Sequence, residues 1–437
     1  MESASFVQFP TVEESLKNRI PIKEWQCHEP KDYEKIKQVG KGTFAEVYKA
    51  IYKKDTEQQR IVALKRIIIF EERGFPITTI REILIMKNLN HKNILKLEEI
   101  LYTQPKEKKK RGNVYLVFPY MEQDLSGIRI TGYMFNMSQI KYIFYQIMSG
   151  IAYLHKCKII HRDIKCSNIL MNSKGDICIG DFGLARRDNQ DYNKRYTQTV
   201  VTLCYRAPEI LLGSREYGPA VDIWSAGCVF AELLTGNILF SRNDKEKDQI
   251  DKIFSICGTP NDKTWPGISQ LPKYKSLQKT DYKNSLRECF KDNKNVDDAT
   301  FDLINKLLEL NPKTRITAEE VLKHDFFKNE PKMCTAEELP KIGEFHEFQT
   351  TKEKKELTEN LKETESKIKD TQIKYDDINS KVKAQGEEKQ LEVKKLSEEK
   401  KGEIERKKSA IALAEKTTIR PFVRTEFLII WVCLRCL

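Results

Sequence analysis

Between Pro340 and Pro421 the chain contains no proline, and over much of that stretch few apolar residues. From about Lys352 to Lys408 more than half the residues are charged, too many to build a second core. A solvated helix or a disordered segment is expected there. Long apolar runs are also scarce. The terminal "FLIIWVCLRCL" is too short to cross a bilayer, which needs roughly 20 residues, and it lacks the Cys four from the end that prenylation requires. No membrane attachment is expected. The opening "MESASFVQFP" has no basic-plus-apolar secretory pattern, and the 11 cysteines are scattered from Cys27 to Cys436, so a reducing, intracellular setting is expected. Only Cys433 and Cys436 form a C-x-x-C, without a second pair or a nearby histidine, so zinc is not expected. The formal charge of +12 over 437 residues is too diffuse to imply direct contact with nucleic acid.

The length suits a two-lobed enzyme. Composition separates a leader (1–32), a mixed globular region (33–327), a linker (328–351), a charged tail (352–416) and an apolar terminal segment (417–437). In the tail a heptad frame catches Leu357, Leu361, Ile368, Tyr375, Ile378, Val382 and Leu396, but Gln385, Lys389 and Glu392 break it. A weak coiled coil and a solitary charged helix both fit.

Chemistry begins at "VGKGTFAEVYKA", a G-x-G turn between strand-like stretches, which reads as a hairpin. Gly40 and Gly42 would let backbone approach phosphates without Cβ obstruction, and Val47 would cover a base. Lys65 follows on the alternating strand "IVALKRI", and Glu82 comes one helix later in "IREILIMKNL". A lysine held by a carboxylate can act as a fixed charge on phosphate oxygens. Next come "IIHRDIKCSNIL" and "GDICIGDFGLARR". Here Asp163 would take the acceptor hydroxyl proton, Lys165 would stabilise the transferring group, and Asn168 and Asp181 would offer oxygen ligands to Mg²⁺. His161 would pack behind the loop.

This ordered set, with "APE" at Ala207 to Glu209, resembles eukaryotic protein kinases from about Tyr33 to Phe327. The resemblance implies an α+β, bilobal fold with a small, mostly β N-lobe carrying one key helix (about 33–120) and a larger helical C-lobe (about 121–327). It implies ATP and Mg²⁺ as cofactors. Val39, Gly40, Lys41, Gly42, Thr43, Phe44, Ala45, Glu46, Val47, Ala63 and Lys65 would surround ATP, with Phe118 as gatekeeper, Met121 on adenine and Asp124 on ribose. Asp222 in "DIWSAGC", and Arg315 opposite Glu209, would anchor the larger lobe. The lysine and both aspartates lost in inactive relatives are all present.

Lys165 and Thr202 resemble serine/threonine kinases, and Val201 with Arg206 resembles proline-directed ones. In these, the arginine engages a backbone carbonyl and leaves no acceptor for the substrate's next N–H, which proline does not have. Thr197 occupies the activation position of cyclin-dependent kinases, where a phosphate would gather Arg81, Arg162 and Arg186. The T-x-Y pair of mitogen-activated kinases is absent, since Gln198 and Thr199 follow Thr197.

"PITTIRE", Pro76 to Glu82, resembles the cyclin-binding helix of the same family, in the form found in transcription kinases. Phe44 stands where cell-cycle members carry an inhibitory tyrosine. The basic "PKEKKKRGN" fits a nuclear localisation signal or a solvated loop. The resemblance implies a nuclear kinase paired with cyclin T or cyclin K that phosphorylates the C-terminal repeats of RNA polymerase II in transcription elongation. Another proline-directed or cell-cycle kinase, and an idle scaffold acting through its tail, are the alternatives. Pro119 and Cys204 depart from the residues usual in the family. Four β-branched residues, Ile77 to Ile80, weaken the isolated helix, so a partner is expected to stabilise it and to swing Glu82 onto Lys65.

Overall fold

The computed structural model describes residues 30–42, 44–54, 59–69, 75–103, 112–188, 202–240, 245–277, 280–294, 296–384, 397–402 and 405–406. Thr43, the basic insertion, Thr197, Val201 and the apolar terminal segment lie outside the described residues.

Alternation builds the first lobe. Strands β1 (Tyr33–Lys41), β2 (Ala45–Tyr52), β3 (Arg60–Ile67), β4 (Glu99–Thr103) and β5 (Asn113–Pro119) pair antiparallel in the order β1-β2-β3-β5-β4. On β3, Val62 and Leu64 point into a core shared with Ala50, Leu101 and Val117. The period of two sends Ala63 and Lys65 to the other face. One strand therefore supplies apolar packing on one side and a cation on the other. The β1–β2 connection is the hairpin expected from the glycines, with Gly40 opposite Val47, Lys41 opposite Glu46, and a 2.8 Å bond from Gly42 N–H to Ala45 O.

The helix Ile77–Met86 packs on the turn Phe182–Leu184. Its N-cap is Pro76, which makes no side-chain cap bond, so nothing local offsets the β-branched first turn. Its stability comes from packing of Ile85 and Met86, both buried.

The second lobe is helical. Helix Met137–Lys156 starts with a reciprocal capping box between Asn136 and Gln139, then buries Ile140, Phe144, Ile147, Ile151 and Leu154 along one face. Helix Ala220–Thr235 is buried along nearly its whole length and stops at Gly236, whose φ of 71° would strain a side-chain-bearing residue. The two meet where Phe144 stacks on Phe230 at 4.3 Å. Short ladders, Ile169–Met171 with Ile177–Ile179 and Ile159–Ile160 with Arg186–Arg187, carry the loops between them. The fold is α+β, a sheet-rich lobe followed by a helical one, as the sequence indicated.

A second compact unit holds most of the tail. Helix Glu347–Ala384 runs for 38 residues and begins inside the segment read as a linker. Ion pairs one turn apart, Lys352 with Glu356, Lys355 with Glu359 and Glu363 with Lys367, line it. Such pairs support a solvent-facing helix that has little apolar surface to bury.

Candidate active site

Lys65 sits opposite Val47 on one neighbouring strand and Leu116 on the other. Its Nζ lies 2.6 Å from Oε1 of Glu82 and 3.2 Å from Oδ1 of Asp181. Glu82 comes from the helix Ile77–Met86 and is nearly fully buried, where a carboxylate without a cation would be costly. Burial opposes the lysine's charge, but Asp181 and Glu82 outweigh it and raise its pKa. Burial pushes the Glu82 carboxyl up even though Lys65 pulls it down. Lys65 also draws the Asp181 carboxyl down to about 2. Two of the three ammonium donors are thus used, which leaves one for a phosphate oxygen. The pairing of Glu82 with Lys65 that was expected on partner binding is formed within this chain.

Around the catalytic loop, Asp222 works as a clamp. Its Oδ1 accepts the Arg162 N–H at 2.8 Å, and its Oδ2 accepts the His161 N–H at 2.9 Å and lies 2.9 Å from His155 Nε2. Burial works against its charge, yet His155 and the backbone donors hold its carboxyl below the ordinary range. The strain this clamp supports is visible at Arg162, whose φ is 65°. His161 packs as expected: its Nε2 lies 3.0 Å from Gly180 O and its ring meets Phe182 edge-on at 4.8 Å.

The clamped loop presents three side chains together. Lys165 Nζ lies 2.9 Å from Asp163 Oδ2 and 3.4 Å from Thr202 Oγ1. Asn168 Nδ2 donates to Asp163 O at 2.8 Å and Oδ2 at 3.0 Å, which turns its amide oxygen away from Asp163. Gly180 N–H donates to Asn168 O at 2.9 Å and so brings Asp181 alongside. Asp181 adopts a left-handed backbone, and its side chain is 51% exposed. An amide oxygen beside an accessible carboxylate with a low pKa suits a hard divalent cation.

The other expected ATP residues lie along the β-lobe and the segment after it. Val39 is buried, Ala63 pairs with Phe118, and Phe118, Met121 and Asp124 are all buried. A Cβ on Gly40 would stand 3.4 Å from the Val47 side chain, so a side chain there would crowd Val47. Lys41 and Gly42 are exposed, Ala45 pairs with Ile67, and Phe44 at the hairpin tip is exposed. Glu46 is tied to Tyr48 and Arg66, each at 2.7 Å.

Asp124 has company that the sequence did not suggest. The segment read as a linker runs beside it: Asp124 N–H donates to Phe345 O at 3.0 Å, and His346 Nδ1 lies 3.6 Å from Asp124 Oδ2. One residue before Phe345, Glu344 pairs with Lys37 at 2.7 Å and with Lys49, and accepts from Tyr120 O–H at 3.2 Å. Lys49 and Glu344 are 295 positions apart, and no local pattern marks such a contact.

Of the arginines expected to gather on a phosphate, Arg162 donates from Nε and Nη2 to Leu184 O and from Nη1 to Tyr217 O–H. Arg186 pairs through its backbone with Ile160, two residues before Arg162, and Arg81 stands half-buried on the helix beside Glu82. Arg206 is buried and donates to Glu246. Arg315 holds Glu209 with two bonds, 2.8 and 3.0 Å long, in the interior. Cys204 is buried in the turn Leu203–Tyr205. That turn is secured by Tyr205 O–H to Glu232 at 2.6 Å and Ser225 O–H to Tyr205 O at 2.8 Å.

A sheet lysine locked to a helix carboxylate, facing an aspartate flanked by lysine and asparagine, is the constellation of a protein kinase. The protein kinase domain family model matches residues 33–327. Cyclin-dependent kinase C-1 of Oryza sativa subsp. japonica is 42% identical over 77% of this chain and 66% of its own length. Cyclin-dependent kinase C-1 of Arabidopsis thaliana is 40% identical over 81% of this chain and 70% of its own. Among solved structures, that of the yeast RNA Pol II CTD kinase CTDK-1 complex matches with a TM-score of 0.63 and 38% identity, covering 71% of this chain and 98% of that one. The chain belongs to the cyclin-dependent kinases, a family of serine/threonine protein kinases. It spans about two thirds of the length of the rice relative. A protein kinase domain implies ATP and a divalent metal.

Proposed function

We propose that this chain transfers the γ-phosphoryl group of MgATP to serine or threonine followed by proline, that it depends on a cyclin of the T or K kind, and that its substrates are the C-terminal repeats of RNA polymerase II in the nucleus. The observation that carries the catalytic part is the Lys65–Glu82–Asp181 cluster beside Asp163, Lys165 and Thr202. Lys65 would hold α- and β-phosphate oxygens. Asp163 would orient the acceptor hydroxyl and receive its proton, and Lys165, hydrogen-bonded to Thr202, would face the transferring group. Asn168 and Asp181 would hold magnesium, which when bound neutralises phosphate charge.

Support for the cyclin comes from the helix Ile77–Met86, on which Ile77, Ile80 and Leu84 are all exposed. Three apolar side chains at helical spacing form one face whose covering would stabilise the helix that carries Glu82. The polymerase substrate rests on the motif likeness and on similarity to the yeast RNA Pol II CTD kinase CTDK-1.

The test presents polymerase repeat peptides and histone-type peptides to the full chain with candidate cyclins. Strong preference for the repeats with a T- or K-type cyclin supports the reading. Preference for the histone-type peptide would overturn the elongation role, and Asp163→Asn retaining turnover would overturn the assignment of the base.

A further inference from the structure

The segment that passes Asp124 is fixed to the second lobe by its backbone. Gln123 pairs with Met171 in the short ladder of that lobe, and Phe345 lies beside Gln123 as a parallel bridge. Phe345 N–H donates to Glu122 O at 3.1 Å, Asp124 N–H donates to Phe345 O at 3.0 Å, and the Gln123 amide donates to Ile342 O and Gly343 O, both at 2.7 Å. Further back, Gln139 Nε2 donates to Glu338 O at 3.3 Å. Gly175 lies so close that a Cβ on it would stand 2.8 Å from Ala336 O.

The side chain of Glu344 reaches the other lobe. Its Oε2 lies 2.7 Å from Lys37 Nζ on β1 and accepts the Tyr120 O–H at 3.2 Å, and its Oε1 binds Lys49 on β2. Lys37 and Lys49 are register partners, so two ammonium groups share one face of the sheet, where like charges directly opposite each other repel. One carboxylate set between them, with an oxygen for each, turns that repulsion into a bond between the lobes. The side chains of Lys49 and Glu344 are only 14% and 29% exposed, so solvent screens this pair in part, whereas Lys37 at 42% is the outer member.

The place of this clasp gives it a use. Lys49 pairs with Ala63, and Val47, two residues earlier on β2, projects from the same face. Val47 and Ala63 are expected over the base, and Asp124, bonded to Phe345, is expected on ribose. We infer that Glu344 is a positioning residue for the nucleotide: it clasps the sheet above the base to the segment beside Asp124, and so sets how fast ADP leaves after each transfer. This rests on the reading of that cleft as the ATP site. Nucleotide leaves when the sheet lifts, and lifting it separates Glu344 from both lysines.

The experiment follows release of a fluorescent ADP analogue by stopped flow from the full chain with the cyclin it is purified with. Glu344→Gln is expected to speed release about tenfold, the factor that one hydrogen bond to a charged group represents. Single-turnover phosphoryl transfer at saturating MgATP should keep the wild-type rate, a split that general loss of structure would not give. Lys37→Gln with Lys49→Gln should speed release to the same extent and serves if the first variant fails to fold. In that background Glu344→Gln should add nothing. Wild-type release from these variants, an undiminished effect of Glu344→Gln without the lysines, or a matching loss of the transfer step would overturn the inference. A wild-type chain that does not bind the analogue would instead overturn the reading of the cleft.

Discussion

The Nζ of Lys65 and Oε1 of Glu82 lie 2.6 Å apart, joining the third strand of the sheet to the helix Ile77–Met86. Asp181, from the helical lobe, closes the same ammonium from a third direction at 3.2 Å. One side chain thus links a strand, a helix and the loop that ends in the turn Phe182–Leu184. Moving the helix therefore changes the charge environment of the lysine directly.

Glu82→Gln keeps the size of the side chain and removes its charge. With only Asp181 left as counter-charge, Lys65 should shift toward that residue and away from phosphate. Turnover should fall by about 10²–10³-fold, the scale on which single preorganised electrostatic contacts operate. Single-turnover phosphorylation measures it, with the melting temperature checked in parallel. A change below threefold would refute the role.

Arg315 and Glu209 form a two-bond pair in which the arginine side chain is fully buried and the glutamate almost so. Arg315→Met leaves a buried carboxylate without its cation, and the cost should be about 3–5 kcal/mol. Urea unfolding gives the value. Adding Glu209→Gln to the same chain should recover much of the loss, since the stranded charge is then gone.

Glu344 predicts a pH dependence. Burial raises its pKa, but Lys37 and Lys49 outweigh burial and bring the carboxyl from an ordinary 4.5 down to about 2. A carboxylate with a lowered folded-state pKa stabilises fully above its unfolded value and loses that contribution as pH falls through the folded one. The stability difference between wild type and Glu344→Gln should be constant from neutral pH down to about 5, then shrink between 4.5 and 2. Denaturant titrations at a series of pH values test this. A gap that widens on acidification would contradict it.

Ile77 is 61% exposed and Leu84 48% exposed on the helix that carries Glu82. Replacing both with aspartate should change the stability of the isolated chain by no more than about 0.5 kcal/mol, as exposed substitutions generally do. Cyclin binding should weaken more than tenfold, measured by titration of the partner. Unchanged affinity would place the cyclin elsewhere.

The site residues on motifs were legible because each motif is local. "HRDIKCSN" puts Asp163, Lys165 and Asn168 on one loop, and Lys65 follows from strand alternation. The contacts of Glu344, His346 and Glu246 were not, because each joins stretches far apart in the chain and uses residue types that are common on any charged surface. The linker was read from its composition, yet Glu344, Phe345 and His346 lie against the first strands and the segment after β5. A short polar segment carries no periodic signal of the surface it will lie on.

By itself the sequence determined the order of chemical groups, the hairpin at the glycines, the strand that carries Lys65 and the weakness of "PITTIRE" as a helix. These depend on backbone preference and on side-chain period, which act over a few residues. Tertiary structure alone decided that Asp222 would hold the His161 and Arg162 N–H groups from a distant helix, that Glu344 would reach Lys37 and Lys49, and that Arg206 would be held by Glu246. The physical reason is burial. Once these charges leave water, each must find a partner within hydrogen-bond reach, and which partner is available depends on how the elements pack.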